Sequence, residues 1–154
     1  MILREASISD VAGIASVIRD ISEIKAVAGC TPEEVHERVS RALAEAAAGK
    51  SSTILVAILD DGEIAGYCSV HWIPFLFFTG PEGYISELFI RQDSRGKEVG
   101  SALLDEVKRL AGLRGCSRLS LLNGRDGEAY RRGFYAKRNW RERARMANFI
   151  LPLD

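Results

Sequence analysis

Histidine and cysteine are scarce in this 154-residue chain, and neither sign of charge prevails. The histidines are His36 and His71, and the three cysteines, Cys30, Cys68 and Cys116, are scattered and odd in number. That pattern holds neither a disulfide framework nor the ligand spacing of a zinc site, so no metal is expected and the setting reads as reducing and cytoplasmic. Lys plus Arg and Asp plus Glu number 21 each. A balanced chain gives no electrostatic reason to expect a nucleic acid or an anionic membrane as partner. The longest apolar run, residues 72–78, is too short to span a bilayer and contains Pro74. The first residues, Met1-Ile2-Leu3-Arg4-Glu5, carry no apolar secretory core. With no repeat and no linker, one domain over residues 1–154 is expected.

What is present is an ordinary globular composition, 47% hydrophobic and 27% charged. The charge is unevenly spread: residues 1–82 hold 12 acidic and 6 basic side chains, leaving 9 and 15 for the rest. Residues 2–8 alternate as a short strand. Ser9 and Asp10 then offer caps to an amphipathic helix on Val11, Ile14, Ala15, Ile18 and Ile21. A second helix has Thr31 as N-cap, Pro32 at its first position, Glu34 closing a capping box and Gly49 placed to end it. Residues 53–59 and 64–72 are β-rich runs around Asp60-Asp61-Gly62, a hairpin signal. Residues 84–90 read as a strand. Val99, Leu103, Val107 and Leu110 mark a helix ending near Gly112 or Gly115. Residues 117–122 read as a fifth strand, 128–137 as a short helix and 145–151 as a final strand. The order β-α-α-β-β-β-α-β-α-β predicts an α/β fold, a single-domain mixed β-sheet flanked by helices.

The most informative segment is residues 88–104, where a strand enters a turn with two glycines that opens directly into an amphipathic helix. Such a junction aims backbone N–H groups and the positive helix end at one point, an anion site, although glycines also serve simply to close a turn. It is neither a Walker loop nor a dinucleotide fingerprint. Glu87, in Ile85-Ser86-Glu87-Leu88-Phe89-Ile90, is a charged residue inside an apolar strand and needs solvent, a partner or a function. Glu87 and Phe89 share one face, Leu88 and Ile90 the other.

Arg95 to Gly100 resembles the Arg/Gln-x-x-Gly-x-Gly/Ala signature of the GCN5-related N-acetyltransferases (GNAT). Residues 130–140, with Phe134-Tyr135, resemble that family's Ala-x-x-x-Phe-Tyr-x-x-x-Gly-Phe helix, with Asn139 where glycine is usual. The resemblance covers nearly the whole chain and the element order. It implies a GNAT domain that transfers the acetyl group of acetyl-coenzyme A to a primary amine, on a small molecule or a protein. The resemblance implies that Arg95, Gly96, Lys97, Glu98, Val99, Gly100 and Ser101 grip the cofactor's pyrophosphate. Leu88, Phe89 and Ile90 would hold its pantetheine arm, Asn123 would add a further contact, and the Leu88 N–H would face the acetyl carbonyl. Tyr135 matches the tyrosine that protonates the leaving thiolate, a role suited to a phenol still protonated at pH 7, or else packs as a core aromatic.

Glu87 stands where the family often places an acid or polar group, making it the candidate base, directly or through water; a salt bridge on an exposed face is the alternative. His71 is a second base candidate or an ordinary hydrogen-bonded strand residue. One position departs from the pattern: Glu98 replaces the signature's first glycine, and a carboxylate close to a diphosphate weakens binding. That departure sustains the alternative of a non-catalytic coenzyme A-binding regulatory or interaction module. A homodimer is the default among small oligomers.

Overall fold

The punctuation at residues 31–34 forms as the sequence predicts. In this computed structural model, which describes residues 1–21 and 27–153, Thr31 Oγ1 accepts the Glu34 N–H at 3.2 Å and Glu34 accepts the Thr31 N–H at 2.8 Å. Two of the helix's first donors and flanking groups are thereby satisfied, and Pro32 starts the helix where no N–H is needed. This helix, α2 (Pro32–Ala48), buries Val35, Val39 and Leu43. It follows β1 (Ile2–Glu5) and α1 (Val11–Asp20). Asp10, 6% exposed, fixes the approach to α1: its carboxylate accepts two bonds from the Arg4 guanidinium (2.7 and 2.8 Å) and one from the Ser7 N–H (2.7 Å).

The chain divides into two compact units, Met1–Leu121 and Leu122–Asp154. The first continues with β2 (Ser52–Ile58), β3 (Ile64–Ile73), β4 (Glu82–Ile90), α3 (Val99–Leu113) and β5 (Arg118–Leu121). The strands form one sheet in the order β1-β2-β3-β4-β5, antiparallel throughout except for the parallel pair β4–β5. The Asp60-Asp61-Gly62 turn joins β2 to β3, with Gly62 at φ +85°, a conformation that favours a residue without Cβ.

Strand alternation divides the core between the two faces of the sheet. Val56 and Tyr67, opposite each other on β2 and β3, pack with Val11, Ile14, Val17, Val35, Val39 and Leu43 of α1 and α2. The opposite parity presents Leu55, Cys68 and Val70, and α3 contributes Val99, Leu103, Leu104 and Val107, all buried. Each such side chain contributes about 1.5–3 kcal/mol by leaving water. α3 ends in a left-handed Gly115 (φ +64°), with the Gly115 N–H bonded to Gly112 and the Cys116 N–H to Ala111, the pairing of a Schellman cap.

The second unit departs from expectation in two places. The helix expected over 128–137 is a single turn, α4 (Glu128–Arg131). Gly133 adopts φ +64°, and the bonds Gly133 N–H to Tyr130 and Phe134 N–H to Ala129 close the helix; a 3₁₀ turn, Ala136–Arg138, follows. The strand expected over 145–151 does not form. The Met146 N–H turns back to the Arg143 carbonyl, and Phe149, Ile150 and Leu151 are exposed. Their β-rich composition expresses a preference for a pleated, paired surface, and no strand among the described residues pairs with them.

Candidate active site

β4 outruns its parallel neighbour. Its register with β5 runs from Glu82↔Arg118 to Ile85↔Leu121 and stops there, while β4 continues to Ile90. The closed end is pinned by buried Glu82, whose carboxylate accepts bonds from Arg118 Nε and Ser120 Oγ on β5. The Arg118 guanidinium in turn stacks on Phe78, 4.5 Å from the ring centre. At the open end the β3 side is fully paired. The Arg91 N–H donates to Ala65 at 2.8 Å, and antiparallel alternation then turns the backbone groups of Leu88 and Ile90 away from β3. Gly66 permits the close strand approach here: a Cβ on it would lie 2.6 Å from the Phe89 carbonyl oxygen.

Beyond Ile90 the chain makes one 3₁₀ turn (Gln92–Ser94) and enters the loop to α3. The turn is anchored from three sides. The Gln92 N–H donates to Asp20 at the end of α1 (2.8 Å), Arg91 pairs with Asp93 (2.9 Å), and Ser94 is buried. Gly96 takes φ +79°; Arg95 and Lys97 are exposed, and Val99 is buried and seats the first turn of α3. The Ala102 N–H makes the first α-helical bond, to Glu98, so residues 99–101 form the first turn of α3, at the positive amino end that favours an anion.

Glu98 caps that end with left-handed backbone (φ 60°, ψ 10°), and its carboxylate accepts a bond from Ser101 Oγ. Among the described residues, Glu98 and Asn139 (φ 63°) are the non-glycine residues with positive φ. Both stand where the resemblance has glycine. Asparagine tolerates this conformation well; glutamate does so with strain.

On the face opposite Leu88 and Ile90, Glu87 is exposed and accepts a 2.7 Å hydrogen bond from Tyr67, which is 3% exposed. The Tyr67 ring also meets Phe89, 5.9 Å between centres. Desolvation by burial, and secondarily the Glu87 charge, push the neighbouring Cys68 thiol up to about 12, so it is no nucleophile at neutral pH. A bulge between Ser69 and Val70 shifts the register, leaving Ser86 as the extra residue on β4; Ser86 Oγ lies 3.1 Å from His71 Nε2. His71, the second base candidate, is thus an exposed, hydrogen-bonded strand residue.

The apolar run 72–78 divides: Trp72 is buried, Phe75 and Phe78 are half-buried, and Leu76 and Phe77 are exposed. Its fixed partners are Arg114 over Trp72 and Arg118 over Phe78, both at 4.5 Å. Residues 87–101 therefore come together in the first unit. The remaining candidates lie in the second. Tyr135 is half-buried between Phe134 (5.0 Å) and Trp140 (6.0 Å). Asn123 Nδ2 is buried and has no hydrogen-bond partner among the described residues, an amide donor suited to a polar ligand. Tyr67 was not singled out by sequence, and no local signal could have done so: its bond to Glu87 depends on the β3–β4 register.

A model of the Acetyltransferase (GNAT) family matches residues 21–140, and the chain belongs to that family. Solved structures with the same fold include three of low identity. The ribosomal-protein-alanine N-acetyltransferase from Brucella melitensis biovar Abortus 2308 is 18% identical, with TM-score 0.78 and coverage of 99% of this chain and 100% of that one. A transcriptional regulator from Bacillus halodurans C-125 is 20% identical, with TM-score 0.83 and 99% of each chain covered. An acetyltransferase from Trypanosoma brucei is 19% identical, with TM-score 0.73 and 97% and 99% covered. The five-stranded mixed sheet with flanking helices is the fold these proteins share.

Proposed function

We propose that this protein transfers the acetyl group of acetyl-coenzyme A to a primary amine, of a small molecule or a protein, by direct attack. The supporting observation is the pairing of β4: its register with β5 stops at Ile85, Leu88 and Ile90 turn their backbone groups outward, and the strand leads directly to the amino end of α3. In this proposal residues 88–90 hold the extended pantetheine arm as a sheet edge holds an added strand. Residues 95–101 hold the diphosphate with backbone N–H groups, and Asn123 supplies its amide. Acetyl-coenzyme A supplies the thioester. Glu87 accepts the proton of the attacking amine, directly or through water, and the Leu88 N–H donates to the carbonyl oxygen as it gains charge. Tyr135 gives its phenol proton to the departing sulfur. The cytoplasm is the proposed setting, on the scattered, odd-numbered cysteines of the sequence.

A second reading, a coenzyme A-binding module without catalysis, is favoured by the Glu98 carboxylate at the amino end of α3. Two measurements separate the readings. Millimolar acetyl-coenzyme A is expected to raise the melting temperature, since a hundredfold excess over Kd is worth about 2.7 kcal/mol; absence of a shift sinks both. Thiol release from acetyl-coenzyme A across small amines, peptide N-termini and lysine peptides then identifies an enzyme. Tight binding with no release on any amine leaves the module.

A further inference from the structure

We infer that Tyr67 is a positioning residue that holds the Glu87 carboxylate in place. The inference rests on the proposed role of Glu87 as proton acceptor and deepens it. Glu87 is exposed on the sheet surface, where a glutamate side chain ordinarily samples several rotamers. Here one carboxylate oxygen is bound at 2.7 Å by a hydroxyl whose ring is buried among the apolar side chains of α1 and α2. Tyr67 is the hydrogen-bond partner the described residues provide for Glu87, and the bond takes one of its two carboxylate oxygens.

The bond has a defined polarity. Burial, together with the adjacent Glu87 charge, raises the pKa of the Tyr67 phenol well above its ordinary value, so the hydroxyl stays a donor throughout the working pH range. On β3, Ser69 lies opposite Glu87 in the register, with Tyr67 and His71 two positions to either side on the same face. The Tyr67 ring belongs to the buried hydrophobic cluster that includes Val11, Ile14, Val17, Val35, Val39 and Leu43 of α1 and α2. A tethered carboxylate reacts from a small set of geometries, which is what proton abstraction from a bound amine requires.

The test is the Glu87 carboxyl-carbon NMR chemical shift in the full chain without ligand at neutral pH, compared with Tyr67→Phe, which keeps the ring and its packing. Loss of the hydroxyl's hydrogen bond is expected to move that resonance. The same comparison in a His71→Asn background takes that imidazole out and is expected to preserve the change. An unmoved resonance overturns the inference. Should Tyr67→Phe not fold, the Cζ chemical shift of Tyr67 in Glu87→Gln replaces it: a changed shift supports the bond, and an unchanged one overturns it. Thiol release from acetyl-coenzyme A with an active amine separates this inference from the function it rests on. A moved resonance with undiminished release in Glu87→Gln upholds Tyr67's hold on the carboxylate and removes Glu87 as the base.

Discussion

The Glu98 carboxylate accepts a 2.6 Å hydrogen bond from the Ser101 hydroxyl, three residues into the helix that Glu98 itself caps. A negative group is thereby held at the positive end of α3, where the proposed diphosphate needs the same helix field. The backbone beneath it is left-handed, a conformation in which glycine is at ease and glutamate is not. One substitution addresses both features.

Glu98→Gly is expected to tighten coenzyme A roughly two- to fivefold, the equivalent of about 0.3–1 kcal/mol for a charge at a helix amino end. Stability is expected to change little, because relief of the strained φ offsets glycine's greater freedom in the unfolded chain. Titration calorimetry on both proteins checks it, and unchanged or weaker binding in the glycine variant shows that Glu98 is no brake.

Tyr135→Phe is expected to lower kcat by about 10²–10⁴-fold while leaving the coenzyme A Kd near wild type, the signature of a lost proton donor. The ring contacts with Phe134 and Trp140 survive in phenylalanine. A rate within threefold of wild type would instead return Tyr135 to a packing role.

Asp10 links folding to pH. The Arg4 hydrogen bonds, opposed by burial and assisted by Ser7, hold its carboxyl at about 2, below its ordinary 3.8. Because the folded value is the lower one, the unfolded chain takes up the proton first as pH falls. The stabilisation is thus complete above about pH 4–5 and disappears toward pH 2. Asp10→Asn should cost about 1–2 kcal/mol at pH 7 and progressively less as the pH approaches 2. Urea unfolding of both proteins across that range measures the difference; a constant gap would show that the charge of Asp10 is not what the fold uses.

Gly66→Ala tests the strand approach that supports Leu88 and Ile90. The added methyl would meet the Phe89 carbonyl oxygen and Ile90 Cδ1, each at 2.6 Å, so β3 and β4 must separate locally. A loss of about 1–3 kcal/mol in stability is expected, together with weaker coenzyme A binding. Denaturant melts and calorimetry on the same variant decide it, and wild-type values in both would mean that this approach supports nothing.

By itself the sequence determined whatever depends on neighbours along the chain. Thr31, Pro32 and Glu34 start a helix because their donors and acceptors lie within one turn. Gly62 turns a hairpin because its own φ is free, and Val99, Leu103, Val107 and Leu110 share a helix face by spacing alone. The signature around Arg95–Gly100 was legible for the same reason, and with it the family and the loop opening α3. The departures at Glu98 and Asn139 were visible as letters; that each occupies left-handed backbone became visible only in three dimensions. Tertiary structure alone decided that β4 outlasts β5, that Tyr67 meets Glu87 across 20 residues of sequence, and that residues 145–151 form no strand. Strand hydrogen bonds join segments remote in sequence, and their register is set by which faces pack together, so a β-rich run states a preference that a partner strand must complete.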